Sequence, residues 1–398
     1  MRMLVLGAGL QGSACAFDLL NNPAVERVIL ADLKVDSLAS FLKSHQALGS
    51  GRLVPTVLDV RDDVAVLGLM AQCDAVQSAI PYYFNLRLAQ LAVQAGVHFT
   101  DLGGNTEIVL KQKELNGDAR AKGVSIVPDT GLAPGMVNII AQHGINQFDR
   151  VESVRMFVGG LPQHPEPPLN YQIVYSIEGV VDYYTTPSLV IRAGKPTEVD
   201  ALTEIVPVLF PEPTGALEAF HTAGGLSTMV YRYANQIPVM EYKTLRYPGH
   251  AAIMTGVRQL GLLGKDPVDV KGQSVVPRDV FVKVAGDKLR KPASPDLVAL
   301  RVVVTGTRGG VMSSRAWQLV DKYDAANGIT AMMRTTGYTL SITGQLQATR
   351  EIAPGVHTTD ECIPPEQYFA MLAERGVISA EVAASLCSRF LSVLPTPA

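Results

Sequence analysis

Three glycines and one carboxylate carry the clearest chemistry in this sequence: Gly7, Gly9 and Gly12 in the stretch MRMLVLGAGLQG, and Asp32 twenty residues after the last of them. In that spacing the first glycine permits a tight turn, the second lets backbone approach a pyrophosphate, and the third lets a strand and a helix pack closely. Leu10 and Gln11 then fall at the start of a helix, where free N–H groups meet phosphate oxygens. Asp32 can accept hydrogen bonds from both ribose hydroxyls and repels a 2′-phosphate, so the cofactor expected is NAD rather than NADP.

These residues need a strand over 3–6, a helix over 11–20 and a second strand over 27–31 to hold them, and the apolar patterning supplies all three. The alternation continues with a helix over 35–47, a strand over 53–57, a helix over 62–71, a strand over 75–80 and a helix over 85–95. Strands over 97–100 and 124–127 follow, with a helix between them. That pattern predicts an α/β fold, a Rossmann doubly wound parallel sheet whose ligands lie beyond the carboxyl ends of its strands. The segments placed there are Asp59 with Val60, Ser78-Ala79 through Pro81 and Tyr82, Asp101 to Gly104, and Asp129 to Gly131.

Beyond residue 133 the chain becomes richer in Tyr, Pro and Thr. Strand-like runs over 151–158, 189–192, 239–245, 280–284 and 297–305 predict a second α+β domain with a mixed or antiparallel sheet. Helical patterning resumes over 331–347 and again over 365–375.

With 398 residues, 47% hydrophobic and only 18% charged, the chain can build two large cores and leaves apolar surface for subunit contacts, so a homo-oligomer, dimer or tetramer, is expected. A net charge of −3 without a basic block argues against nucleic-acid or anionic-membrane partners. Asp18 and the glycine pattern mark the first twenty residues as the first unit of a folded domain rather than a signal peptide. Cys15, Cys73, Cys362 and Cys387 have no paired spacing and read as reduced thiols of a cytoplasmic protein.

Over nearly its whole length the sequence resembles the saccharopine dehydrogenase-like family. The resemblance rests on LVLGAGLQG from Leu4, HFTDLGGNT from His98, VPDTGLAPGMVNIIA from Val127, SIEGVVDYYTTPSLVIRAG from Ser176, LEAFHTAGG from Leu217, YKTLRYPGH from Tyr242 and MRTTGYT from Met333. It implies that residues 1–132 and 331–398 form one discontinuous dinucleotide-binding domain, and that 133–330 form the substrate-binding and oligomerisation domain. It also implies an NAD-linked oxidation of a CH–NH2 donor, with lysine oxidised at its ε-carbon to an aldehyde that cyclises. Relatives acting on saccharopine or on carboxynorspermidine remain alternatives, as does a protein that senses NAD without turnover.

The implied chemistry asks for a base to take the ε-ammonium proton, a cation for the α-carboxylate and a carboxylate for the amine. Asp129 and His221 are the candidate bases, and Tyr82 can border the nicotinamide. Arg246, His250 and Arg334 are candidates for the carboxylate, and Glu178 and Glu218 for the amine. On the cofactor side Asp59 and Val60 follow the third strand at the adenine edge, while Ser78, Ala79, Pro81 and Gly103 suit close approach further along the sheet.

Plainer uses stand beside these. Arg246 can pair with a structural glutamate, Asp129 can cap the helix near Met136, Asp59 can cap the helix after it, and Lys243 reads as a solvated strand lysine. No Walker-type, HExxH or GxSxG motif is present, so no metal is expected and hydride transfer needs only the cofactor.

Overall fold

The computed structural model describes residues 1–36, 38–291 and 294–382, so Cys387 lies outside the described residues. Seven parallel strands form the first sheet, in the order Gly355–Val356, Ser125–Val127, His98–Asp101, Ala75–Ser78, Arg2–Leu6, Arg27–Asp32 and Leu53–Val57. Parallel strands covered on both faces must be apolar throughout, and Leu4, Leu6, Ile29, Val76, Phe99 and Ile126 are all buried in its core. The helix Leu10–Asn21 follows the first strand, and the helix Ala331–Ala348 packs against it. Their approach is close enough that a Cβ at Gly337 would meet that of Ala14 at 2.8 Å.

The second sheet is mixed. Its strands run Val206–Leu209, Ala216–His221, Val239–Arg246, Arg150–Pro162, Asp296–Arg308, Val311–Lys322 and Ala380–Val382, with Ser188–Arg192 and Lys195–Val199 branching from Val239–Arg246. Only the pairing of Arg150–Pro162 with Val239–Arg246 is parallel among the described ladders of this sheet. No helix among the described residues is long and apolar enough to cross a membrane.

Two compact units result. One comprises Met1–His143, Ser227–Met229 and Tyr323–Ile378, and the other Gly144–Leu226, Val230–Lys322 and the chain from Ser379. Residues 133–143, 227–229 and 323–330, expected in the second domain, therefore group with the first. At the other end Ala380–Val382 leaves the dinucleotide unit and pairs with Val311–Lys322, where Glu381 takes both nitrogens of the Arg315 fork at 2.7 Å.

Two predicted elements change. Residues 280–284 are helical, inside Pro277–Leu289, because Pro277 presets the first turn and Val280 and Val284 are i,i+4 neighbours rather than alternating strand positions. Instead of one helix over 35–47 there are two single turns, Ser40–Lys43 and Gln46–Gly49. The Ser44 hydroxyl bonds back to the carbonyls of Ser40 and Phe41, competing with helix propagation.

Candidate functional site

The glycine turn closes as its spacing demands. Gly7 has φ of 99°, its N–H donates to the Ala31 carbonyl at 2.7 Å, and a Cβ on it would come within 2.8 Å of the Ala79 carbonyl oxygen. At Gly12 a Cβ would strike the Gly7 carbonyl oxygen at 1.8 Å, so the turn and the helix can coexist only with glycine there. Gly9 begins the helix Leu10–Asn21 with no side-chain cap, and a Cβ on it would meet nothing within 4 Å. Uncapped N–H groups facing open space at a helix start are the donors a pyrophosphate needs. Leu10 is exposed beside them, and the side-chain oxygen of Gln11 is buried without a hydrogen-bond partner.

Asp32 is half-buried at the end of its strand. One oxygen accepts from Ala8 N–H at 2.7 Å and the other from Lys34 N–H at 3.1 Å, so the carboxylate is fixed beside the turn with lone pairs left over for ribose hydroxyls. The donors, the clearance and the acidic strand end together fit a pyridine dinucleotide.

The neighbouring strand ends are mixed. Asp59 is at the surface, grips the Arg61 guanidinium at 2.9 and 2.5 Å and is held at about 2 by that bonding. The helix after it is capped instead by Asp62, which accepts from Val64 and Ala65 N–H at 3.1 Å. Val60 is partly buried against the core. The Ser78 hydroxyl donates to the Asn85 side chain at 3.1 Å, and Ala79 packs on the glycine turn. Pro81 leads into the turn Tyr82–Phe84, and the Tyr82 ring flanks Gly104.

Asp129 is the most unusual group of this unit. It is 2% exposed with φ of 61°, and Gly103 is so close that a Cβ there would overlap its Oδ1 at 1.8 Å. The Ser227 hydroxyl donates to its Oδ2, and Asp101 lies near with its own carboxylate accepting from Gln112 at 2.7 Å and Gly103 N–H at 2.8 Å. Burial pushes Asp129 up to about 7, with Asp101 and Asp360 adding repulsion and the Ser227 hydrogen bond opposing them. Asp101 is raised to about 6, again by burial. Among the described residues no ion pair forms at Asp129, and its side chain does not cap the helix Met136–Ile145. Nothing in the sequence singled out Ser227; its own left-handed φ of 47° becomes visible only in the fold.

In the second unit Arg246 is 3% exposed. Its Nε donates to the Tyr184 hydroxyl at 3.2 Å, its Nη1 to the Leu245 carbonyl at 2.8 Å, and the guanidinium lies 4.7 Å from the Tyr171 ring centre. No carboxylate pairs with it among the described residues. Its cross-strand neighbour Glu218 instead accepts from Gly249 and Ala251 N–H at 3.0 and 2.6 Å, so Glu218 holds a helix start and is not offered to an amine.

Three further candidates are corrected in the same way. His250 gives Nδ1–H to the Leu169 carbonyl at 3.1 Å and receives the Tyr184 hydroxyl on Nε2 at 2.9 Å. Burial, helped by Arg246, lowers it to about 3, so it is a neutral core ring and no carboxylate ligand. Glu178 is exposed at the first turn of Ile177–Thr185 and accepts from Ser176 Oγ at 2.8 Å. Arg334 ties the Arg375 carbonyl at 3.2 Å and approaches Asp324 at 3.7 Å, bracing two chain segments rather than facing a ligand.

His221 enters an ion network. Its Nε2 lies 2.9 Å from Glu204, Arg192 reaches Glu204 and Glu241 at 2.9 and 2.8 Å, and Arg155 meets Glu241 at 3.0 Å. Lys243, far from being solvated, is 2% exposed and donates to the Glu204 carbonyl at 2.7 Å. Burial, then Lys243, lowers the His221 pKa. Ligand atoms of Glu204, His221 and Glu241 fall within 4.8 Å of one another, but Lys243 and Arg192 already balance both carboxylates, which makes this a structural network rather than a metal centre.

A doubly wound sheet with a glycine turn and an acidic strand end defines a dinucleotide-binding protein with a second, mixed-sheet unit. The chain belongs to the saccharopine dehydrogenase family. Residues 3–127 match the saccharopine dehydrogenase NADP binding domain and residues 131–377 the saccharopine dehydrogenase C-terminal domain. The saccharopine dehydrogenase [NADP(+), L-glutamate-forming] of Pyricularia oryzae is 23% identical over 308 residues, 75% of this chain and 65% of the relative. The mitochondrial alpha-aminoadipic semialdehyde synthase of Bos taurus is 24% identical over 67% of this chain and 29% of the relative. The chain thus spans less than two thirds of the length of these curated relatives. Apo saccharopine dehydrogenase (L-Glu forming) from Saccharomyces cerevisiae shares the fold, with a TM-score of 0.77, 20% identity, and coverage of 96% of this chain and 100% of that one.

Proposed function

We propose that the chain is an NAD-dependent L-lysine 6-dehydrogenase, oxidising the ε-CH–NH2 of lysine to the 6-semialdehyde, which closes to 1-piperideine-6-carboxylate. The observation that carries this reading is Arg246, a buried guanidinium with no carboxylate partner among the described residues. A preset fork of donors of this kind fits one α-carboxylate in bidentate fashion. Saccharopine carries two carboxylates more than lysine, yet Arg192 is held by Glu204 and Glu241, Arg258 by Asp200 at 2.8 Å, and Arg232 lies over Tyr233.

Asp129 takes the role of base. A carboxylate with its pKa near neutrality can accept the ε-ammonium proton and release it again at working pH, and burial has brought Asp129 there. Ser227 holds the accepting carboxylate in place, and Tyr82, beside Gly104, would border the nicotinamide of a bound cofactor. Bound NAD supplies the hydride acceptor. Asp32 favours NAD over NADP by facing the ribose with a negative charge.

A second reading, saccharopine dehydrogenase with NADP, draws on the names of the relatives. One experiment separates the two: NADH or NADPH formation at alkaline pH from lysine, saccharopine and carboxynorspermidine, each with NAD and with NADP. Turnover of lysine with NAD, and little from the others, is expected. Preferred turnover of saccharopine overturns the proposal, and tight NAD binding without turnover of any amine identifies a sensor. In Asp32→Ala, NAD binding should weaken about 10-fold and the gap to NADP narrow; unchanged affinity for both removes Asp32 from the ribose site.

A further inference from the structure

Beside Arg246 stands one buried polar group that the fold leaves unused. Tyr171 lies in the chain between the strand Arg150–Pro162 and the helix Ile177–Thr185 and is 4% exposed. Its ring is held from two sides, with the Arg246 guanidinium 4.7 Å from its centre and the His250 ring edge-on at 5.4 Å. The backbone around it is tied as well. Asn170 N–H donates to the Glu166 carbonyl at 3.0 Å, Gln172 Nε2 to the Ser294 carbonyl at 3.1 Å, and Ile173 N–H to the Leu289 carbonyl at 3.0 Å. Ring and backbone therefore fix where the Tyr171 hydroxyl stands. Yet that hydroxyl is buried with no hydrogen-bond partner among the described residues.

Tyr184 supplies the contrast. It is buried beside the same guanidinium, but its oxygen accepts from Arg246 Nε at 3.2 Å and its proton goes to His250 Nε2 at 2.9 Å, so the fold itself satisfies it. A buried hydroxyl without a partner is costly, and phenylalanine would fill the same space without that cost. On Arg246, Nε and Nη1 are engaged by Tyr184 and the Leu245 carbonyl, while Nη2 makes no hydrogen bond among the described residues. An open guanidinium nitrogen and an unpartnered hydroxyl thus meet on one aromatic stack, and both can donate. A carboxylate accepts several hydrogen bonds on its two oxygens and satisfies both donors at once, whereas Arg246 repels an ammonium.

We propose that Tyr171 is a second donor to the substrate carboxylate, and the residue by which the site selects an α-amino acid over the corresponding diamine. The inference rests on the reading of Arg246 as the carboxylate subsite. A site built to hydrogen-bond a substrate group rejects the analogue lacking that group, because its buried polar atoms are then left unpaired.

Steady-state kinetics with NAD on L-lysine and on cadaverine, which is lysine without its carboxylate, tests this in Tyr171→Phe and Arg246→Lys. In Tyr171→Phe the KM for lysine should rise about 10-fold or more, with kcat within about 2-fold of wild type. On cadaverine kcat/KM should change far less, so the preference for lysine narrows by about 10-fold. Melting should match or exceed the wild type, since the hydroxyl makes no hydrogen bond to the described residues. A raised KM in Arg246→Lys with none in Tyr171→Phe overturns the role of Tyr171 alone. Unchanged KM in both removes the carboxylate from Arg246 and overturns the inference with it. Equal losses on lysine and cadaverine, or a lowered melting temperature in Tyr171→Phe, would make the hydroxyl a packing group and overturn it too. A wild type inert toward lysine overturns the underlying function, and this inference with it.

Discussion

Asp129 and Glu241 are carboxyl groups shut away from water, one in each unit, and burial drives both toward the protonated form. They end on opposite sides of their ordinary range. Around Asp129 stand a hydroxyl and two further carboxyl groups, so burial prevails and the group rests at about 7. Around Glu241 stand Lys243, Arg192 and Arg155, which outweigh burial and hold it below the usual glutamate value. A charge whose partners close a network belongs to the scaffold, whereas a buried group left without a counter-charge is poised for chemistry. The arginines divide in the same way: Arg155 is taken up by Glu241, and Arg246 has, among the described residues, only a hydroxyl, a carbonyl and a ring.

Opposite shifts give opposite pH behaviour. The raised pKa of Asp129 contributes stability that is complete below the ordinary aspartate value of 3.8 and is lost as pH rises through about 7. The depressed pKa of Glu241 contributes stability present above the ordinary 4.5 and lost as acid protonates it below that value.

The comparison breaks first at Asp129→Asn. Turnover should fall by about 10²–10⁴-fold with nucleotide affinity nearly unchanged, as for loss of a general base. The wild-type rate should rise with pH through about 7, and the variant should lose that limb. Activity near wild type in steady-state kinetics would move Asp129 into the scaffold class.

Next comes Glu241→Gln, which removes the carboxylate that Arg155 pairs with and leaves Arg192 and Lys243 to Glu204, and should cost about 2–4 kcal/mol in denaturant unfolding. Loss of turnover at unchanged stability would instead place the network in the reaction.

The smallest effect belongs to Ser227→Ala. Its hydroxyl lowers the Asp129 pKa, so removal should move the rate limb upward by about one pH unit and leave the high-pH plateau close to wild type. Sensitivity of the plateau rather than of the limb would mean that Ser227 acts through packing alone.

Much of this was legible in the sequence. The glycine turn, Asp32 and the βα alternation were readable because each depends on neighbours a few residues apart. Residues 280–284 were not, because a short apolar run fits either period and only Pro277 and the helix packing decide between them. His250, Glu218, Glu178 and Arg334 were selected by side-chain type, and type does not say which backbone N–H, carbonyl or hydroxyl will occupy a group in the fold.

The sequence by itself determined where a dinucleotide can sit, since a turn, a helix start and an acidic strand end are local geometry. Tertiary structure alone decided which buried charges are satisfied. It brought Ser227 to Asp129 across 98 positions of chain and carried Glu241, Lys243 and Arg155 into one network. The reason is physical: proton affinity in an interior depends on the few charges and dipoles within several ångströms, and the chain order does not record who those neighbours will be.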